Sequence, residues 1–196
     1  MFIIGVTGGI GSGKSTVCKF IEESGYPVFY SDIVAKNLAN TNKELQKEII
    51  NFYGPQSYIN NVYNTKYISS LVFTNKASLN NLNNIFKKFI KKEFENFCLK
   101  NKNSKFIFYE SALIYEHKKE QGFSSIICVY VPTSTVIERI EKRDNLSKQD
   151  ILNRLNNQLS PEEKKEKADI VVYNVGTTEE LLHSTQYVLN NLNKMF

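Results

Sequence analysis

The stretch that decides the fold is GVTGGIGSGKST, residues 5–16, in which five of the twelve residues are glycine. Its inner part, GGIGSGKS (8–15), fits the pattern G-x-x-x-x-G-K-[ST] without a mismatch. The β-branched run FIIGV (2–6) comes before it, and KSTVCKFIEESG (14–25) follows with apolar residues at helical spacing. This order of strand, glycine loop and helix predicts a phosphate-binding loop.

The glycine loop predicts how a nucleoside triphosphate is held. Without side chains in the way, backbone N–H groups can face phosphate oxygens, and the start of the following helix adds positive charge. Lys14 is expected to reach the β- and γ-phosphates, the Ser15 hydroxyl to bind Mg²⁺, and Thr16 to face the α-phosphate. The predicted ATP-binding residues of the loop are Gly9, Gly11, Ser12, Gly13, Lys14, Ser15 and Thr16.

The patterns along the rest of the chain predict an α/β fold. Strands alternate with helical segments, which gives a parallel sheet covered by helices on both faces. Besides FIIGV, strands are expected at 26–32, 105–116 and 124–131, and a strand followed by a loop is expected at 170–176. We therefore predict one domain, residues 1–196, with a five-stranded parallel sheet and a P-loop.

Helical patterns fill most of the remaining sequence. Residues 33–102 are expected to be mostly helical, with amphipathic segments at 44–54 and 79–100, and could form an inserted substrate subdomain. Further helical segments are expected at 133–144 and 146–169. A closing helix is expected to be capped by Thr177 or Thr178.

The composition narrows the classes of protein. The chain has 196 residues, 41% of them hydrophobic, which is enough for one compact domain. Its net charge of +5 suits either a solvated lysine-rich surface or a phosphate-rich small substrate. Apolar runs stop short of the roughly 18 residues that a membrane span needs. We expect small-molecule substrates, no nucleic acid and no membrane.

The cysteines and the first residues predict a cytoplasmic protein. MFIIGVTGG lacks the basic start and the apolar length of a signal peptide. Cys18, Cys98 and Cys128 have no metal or disulfide spacing, so we expect free thiols, buried in a reducing compartment. We expect a monomer or a small homo-oligomer.

A missing motif separates a small kinase from a GTPase. A GTPase is expected to show N-K-x-D for guanine, and the four N-K pairs, at 42, 75, 101 and 193, all lack the aspartate. A large motor ATPase would need a longer chain. A small kinase remains the prediction.

Two carboxylates follow predicted strands and are candidates for the chemistry. Asp32 could accept the proton of an acceptor hydroxyl, or it could cap the helix that begins near Ile33. Glu110 could orient Mg²⁺ through water, face the acceptor, or be a solvated acid. Because the carboxyl ends of parallel strands meet at one edge, we expect both acids, the glycine loop and Asn174 at one crevice.

Arginines are the candidates for neutralising charge on the transferred phosphoryl group. Arg139 and Arg143 are four residues apart on a predicted helix and share a face. With Lys142 they could clamp phosphates. The alternative for these arginines, and more strongly for Arg154, is a solvated charged surface.

Motifs over nearly the whole chain resemble the dephospho-coenzyme A kinase family. GVTGGIGSGKST is similar to that family's phosphate loop, including its T-G-G-I-G start. VFYSDIVAKNL (28–38) and ESALIYE (110–116) are similar to its V-x-D-A-D-x-I-A-R and D-x-P-L-L-F-E segments. Residues 136–176 are similar to its Q-x-x-R-x-x-x-R-D…R-x-x-x-Q…K-x-x-A-D-x-x-I-x-N-x-G region, the most specific of these stretches.

The resemblance implies ATP- and Mg²⁺-dependent phosphorylation of the ribose 3′-hydroxyl of dephospho-CoA, which gives CoA and ADP in the last step of coenzyme A biosynthesis. By this resemblance, Lys14 binds the phosphates, Asp32 is the general base, and Arg139 contacts the phosphoryl group that is transferred. It makes 33–103 the CoA-substrate subdomain and 135–167 a lid.

The same resemblance implies that the loop around Asn174 and Gly176 flanks the adenine of ATP. From their positions in the sequence, Arg143 is a further candidate for ATP binding, and Asp32 and Glu110 are the candidates for contacts with the acceptor.

Some acceptor-side positions depart from the family pattern. Tyr30 stands where the family has its first aspartate, and Thr65 stands about where an arginine is expected. Lys87 and Lys88 replace a His-Pro pair, and Ala112 replaces a proline. Two alternatives therefore stay open: a small nucleoside or nucleotide kinase with another acceptor, and a catalytically weak nucleotide-binding regulatory module.

Overall fold

The computed structural model describes residues 1–72, 75–136 and 158–196. The chain forms two compact units, one of Met1–Phe29 with Asn101–Phe196 and the other of Tyr30–Lys100. The second unit is therefore inserted in the first along the sequence. The substrate role predicted for 33–103 stays a prediction, and most of the predicted lid, 135–167, falls on 137–157, outside the described residues.

Strands and helices alternate along the chain, and they are numbered in chain order. The strands are β1 (Phe2–Thr7), β2 (Val28–Tyr30), β3 (Tyr58–Ile59), β4 (Val62–Tyr63), β5 (Phe106–Glu110), β6 (Ser125–Tyr130) and β7 (Ile170–Tyr173). The described α-helices are α1 (Lys14–Glu23), α2 (Ser31–Thr41), α3 (Lys43–Tyr53), α4 (Thr65–Val72), α5 (Lys76–Lys100), α6 (Pro161–Lys167) and α7 (Thr178–Met195).

The first unit is built on a five-stranded parallel sheet in the order β2-β5-β1-β6-β7. The central strand β1 pairs with β5, Val6 opposite Glu110, and with β6, Thr7 opposite Cys128. This confirms the predicted α/β fold. It also brings the glycine loop after β1, Glu110 at the end of β5 and Asn174 after β7 to one edge of the sheet.

The core of the first unit explains why its strands are almost wholly apolar. Phe106, Ile107 and Phe108 follow one another in β5, and each is fully buried. Since successive side chains point to opposite faces, both faces of the sheet are covered, as is usual for parallel sheets. Helices α1 and α7 contact each other. No helix within the described ranges is long and apolar enough to cross a membrane.

The second unit has its own apolar core between its helices. Leu45, Ile49 and Phe89 are buried in it. Two tyrosines that pack in or against this core donate hydrogen bonds to backbone carbonyls. Tyr53 Oη donates to Ser78 O at 2.6 Å, and Tyr58 Oη donates to Ala39 O at 2.9 Å. Burial raises the pKa of Tyr58 to about 12, so it remains a donor at neutral pH.

A short hairpin in the second unit was not predicted. β3 and β4 pair antiparallel, and the two residues between them, Asn60 and Asn61, have φ of 49° and 64°. Two consecutive left-handed residues are typical of a type I′ hairpin turn, which asparagine tolerates better than most residues. The segment is mostly helical, as predicted, and this hairpin at 58–63 is an exception within it.

Two predicted strands end earlier than expected, and one predicted helical segment is interrupted. β2 ends at Tyr30, and β5 ends at Glu110, after which the chain turns. In the predicted helical segment 146–169, Gln158–Ser160 are not helical. Instead Ser160 starts α6 with a capping box, in which it exchanges hydrogen bonds with Glu163.

The cap of α7 gives a stability test. The side chain of Thr177 accepts from the Glu180 N–H, and Glu180 accepts from the Thr177 N–H, so Thr177 is the cap. We expect Thr177→Ala to lower the free energy of unfolding by about 1 kcal/mol. Thr178→Ala, one residue later and exposed, is the matched control and should stay within about 0.5 kcal/mol in urea unfolding. Equal losses in both variants would contradict this role of Thr177.

Candidate active site

The glycine loop between β1 and α1 needs glycine at two positions for steric reasons. Gly8 has φ 149°, and a Cβ there would lie 2.5 Å from Val129 O. Gly13 has φ 89°, and a Cβ there would collide with Asn174 Nδ2. Any side chain at either position would push the loop away from the neighbouring strand ends. The fit to the sequence pattern thus has a direct structural cause.

Lys14 and Glu110, predicted separately, are brought together. Lys14 Nζ donates to Gly9 O at 3.2 Å and lies 4.0 Å from Glu110 Oε1. The two side chains are only 11% and 12% exposed. A poorly solvated ammonium group at a helix N-terminus strongly attracts phosphate. The Glu110 carboxylate holds this ammonium group at the loop.

The hydroxyl groups of the loop region differ in exposure. Ser15 is exposed on the first turn of α1, and Thr16 is half-buried. Thr7 Oγ1 and Ser12 Oγ are buried, and neither has a hydrogen-bond partner among the described residues. Thr7 was not among the predicted site residues, although it is the last residue of β1, which leads into the loop. These hydroxyls are chemically suited to phosphate oxygens, water or a hard cation.

Asn174 ties the end of β7 to the glycine loop. Its backbone N–H donates to Tyr130 O at 2.9 Å, and its Nδ2 donates to Ser12 O at 2.8 Å. The side chain is therefore directed to the loop backbone. Gly176 lies exposed two residues later, directly before the cap of α7. The predicted contact of this segment with adenine stays a prediction.

A second group of polar side chains, which sequence analysis did not single out, lies next to the loop. Gln158 Oε1 accepts from the Ile10 N–H at 3.3 Å. Lys164 is fully buried, pairs with Glu116 Oε1 at 2.8 Å and donates to Ala112 O. The available signal was the resemblance itself, because Gln158, Lys164 and Glu116 all lie in stretches that resemble the family's segments.

The buried thiols are not nucleophiles at neutral pH. Burial raises the pKa of Cys18, and the Glu110 carboxylate raises it further, against the opposing effect of Lys14. Burial also raises the pKa of Cys128 to about 11, with Lys164 opposing the shift. Within the described ranges no three His, Cys, Asp or Glu side chains are grouped to hold a metal ion.

Asp32 belongs to the second unit. It is exposed in the first turn of α2, whose N-cap is Tyr30 without a side-chain hydrogen bond. The alternative that Asp32 caps a helix beginning near Ile33 is therefore wrong. Its approach to the phosphate loop stays a prediction. Arg139, Lys142, Arg143 and Arg154 lie outside the described residues.

Two of the positions that depart from the family pattern have definite contacts. Lys88 pairs with Glu48 Oε2 at 2.6 Å within the second unit. The carbonyl oxygen of Ala112 accepts from Lys164. Thr65 is the first residue of α4, and Lys87 lies in α5.

The chain is similar to known proteins in sequence and in fold. A family model for dephospho-CoA kinase matches residues 2–180. A dephospho-CoA kinase of Salinibacter ruber is 34% identical over 186 residues, which cover 92% of each chain. A crystal structure of a Thermus thermophilus protein has a TM-score of 0.85 at 30% identity and 97% coverage of both chains. A dephospho-CoA kinase structure from Campylobacter jejuni has a TM-score of 0.70 at 25% identity and covers 98% of this chain and 97% of its own.

The Asn174 contact predicts an effect on nucleotide affinity. In Asn174→Asp the donor to Ser12 O is replaced by an oxygen, which repels that carbonyl. We expect both ATP and ADP to bind about tenfold more weakly, the cost of one buried hydrogen bond that is lost. Asn190→Asp, on the exposed face of α7, is the control and should bind nucleotide normally in calorimetry. Unchanged affinity in Asn174→Asp would show that the loop does not need this contact.

Proposed function

Because the chain belongs to the dephospho-CoA kinase family, whose members are ATP-dependent kinases, we propose that it transfers the γ-phosphoryl group of Mg-ATP to the ribose 3′-hydroxyl of dephospho-CoA. The products are ADP and CoA, so the reaction is the last step of coenzyme A biosynthesis. The observation that carries this proposal is the family match over residues 2–180, which spans both units and not the glycine loop alone.

On the donor side, the loop and α1 bind the phosphates. Backbone N–H groups at the start of α1 and the Lys14 ammonium neutralise the β- and γ-phosphates. The pair with Glu110 keeps the ammonium at the loop before ATP arrives. Nucleotide binding therefore exchanges an existing partner of Lys14 for phosphate oxygens.

On the acceptor side, Asp32 is the proposed general base. The 3′-oxygen attacks the γ-phosphorus, the bond from that phosphorus to the β,γ-bridging oxygen breaks, and ADP leaves. Asp32 takes the proton of the hydroxyl, and Arg139 compensates charge on the moving group. The second unit, which carries Asp32, supplies the surface for the acceptor.

The magnesium ion enters as part of the substrate Mg-ATP. The exposed Ser15 hydroxyl and the Glu110 carboxylate are hard oxygen donors of the kind that Mg²⁺ prefers, so the residues present fit the ion. The ion would supply charge neutralisation on the phosphates. The free thiols fit a reducing, cytoplasmic setting, and we propose that the protein works there as a monomer or small homo-oligomer.

Turnover with defined acceptors tests the function. With Mg-ATP, we expect ADP release that depends on dephospho-CoA and yields CoA. AMP, adenosine and pantetheine phosphate should give at most background rates. Turnover on one of these compounds without turnover on dephospho-CoA would favour the nucleotide-kinase alternative, and ATP binding without turnover on any of them would favour the regulatory module.

The role of Asp32 predicts a selective loss of rate. Asp32→Asn keeps the shape but removes the base, so kcat should fall at least about 100-fold while ATP affinity changes little. Glu44→Gln is the matched control, because Glu44 is also an exposed acid in the first turn of its helix, α3. Steady-state kinetics measure the effect. Full activity in Asp32→Asn would show that Asp32 is not the base and only interacts with the dipole of α2, in whose first turn it lies.

A further inference from the structure

The peptide group between Gly9 and Ile10 is held from both sides. Its carbonyl oxygen accepts from Lys14 Nζ and from the Ser12 N–H, each at 3.2 Å, and its N–H donates to Gln158 Oε1 at 3.3 Å. In a trans peptide the carbonyl and the N–H point in opposite directions. A single peptide plane of the loop is therefore fixed between the phosphate-binding lysine and a glutamine 148 residues further along the chain.

Gln158 is itself anchored through its neighbour. The Leu159 N–H donates to Glu116 Oε1 at 2.8 Å, and the same oxygen pairs with the fully buried Lys164 at 2.8 Å. A buried charge pair of this kind is costly to break, because one partner would be left uncompensated. The backbone beside Gln158 is thus fixed to the turn after β5.

The start of α6 adds a second restraint. Ser160 forms the capping box of this helix, and Pro161 follows it. A Cβ on Gly9 would be 3.9 Å from Pro161 Cγ, so this part of the chain packs beside the loop. Gln158 therefore has little freedom to leave Ile10.

We propose that Gln158 is a positioning residue for phosphoryl transfer, because it prevents the Gly9–Ile10 peptide from turning over. Peptides that adjoin glycine reorient easily, since glycine occupies both halves of φ/ψ space. A turned peptide would release Lys14 Nζ from Gly9 O and turn the Ile10 N–H towards the ammonium group instead. The inference rests on the proposed function in one respect, namely that the loop binds the phosphates of ATP.

Gln158 is expected to affect transfer of the γ-phosphoryl group but not binding of the rest of the nucleotide. Lys14 is the group that reaches the β- and γ-phosphates, whereas the N–H groups at the start of α1 hold the remaining phosphates without Gln158. Loss of Gln158 should therefore impair transfer while ADP still binds. A general loosening of the loop would weaken ADP binding to the same degree.

Gln158→Met is the test variant, since it keeps the length of the side chain and removes the acceptor. We expect kcat to fall about tenfold, as expected for a small misplacement of a charged group, and ADP affinity to stay within about twofold. Gln186→Met, on the exposed face of α7, is the control and should match the wild type. Steady-state kinetics measure kcat, and calorimetry measures the affinity for ADP.

Amide hydrogen exchange of Ile10 tests the contact directly and needs no acceptor substrate. The Ile10 N–H should be protected in the wild type, exchange faster in Gln158→Met and remain protected in Gln158→Glu, whose carboxylate still accepts. An unprotected Ile10 in the wild type, an unchanged kcat in Gln158→Met, or an equal loss of kcat and ADP affinity would each overturn the proposal. A wild type that does not phosphorylate dephospho-CoA, yet protects Ile10, would refute the proposed function instead.

Discussion

The left-handed backbone of the glycine loop is the constraint on which the first unit depends. At Gly8 and Gly13 the chain passes so close to Val129 O and Asn174 that no Cβ fits. These neighbours come from β6 and from the residue after β7, so the loop keeps its shape only when the sheet is assembled in the observed order. The phosphate-binding conformation is a property of the whole sheet edge and not of the loop alone.

Charged side chains with little exposure at the same edge occur in pairs of opposite sign. Lys14 has Glu110, and Lys164 has Glu116 together with the Ala112 carbonyl. An unpaired ion at such sites would be strongly unfavourable, so each pair fixes the segments that supply its members. The last residue of β5 supplies Glu110 and the turn after it supplies Glu116, so this stretch of chain links the phosphate lysine to α6. Side chains at this edge are thus in position before a nucleotide arrives.

The parts of the structure that the sequence predicted are those with a long or specific pattern. The loop motif and the apolar strands predicted the sheet, and the S/T-x-x-E spacing at Thr177 agrees with the observed cap. The hairpin at 58–63 was missed because two-residue strands show no periodicity. Gln158 was missed because its partner Ile10 is distant in sequence, and only tertiary structure joins them. Asp32 was expected at the end of a strand, but β2 stops two residues earlier, at Tyr30. Asp32 lies instead in the first turn of α2, a position that favours an acidic residue.

The insertion of the second unit has a consequence for how the chain folds during synthesis. Strand β1 leaves the ribosome first, but its partner β5 follows about a hundred residues later, since Phe2 pairs with Phe106. The intervening Tyr30–Lys100 is contiguous and forms its own compact unit, so its internal contacts can form before β5 has been synthesised. The contacts of the glycine loop with Val129 and Asn174 can form only after residue 174 has emerged.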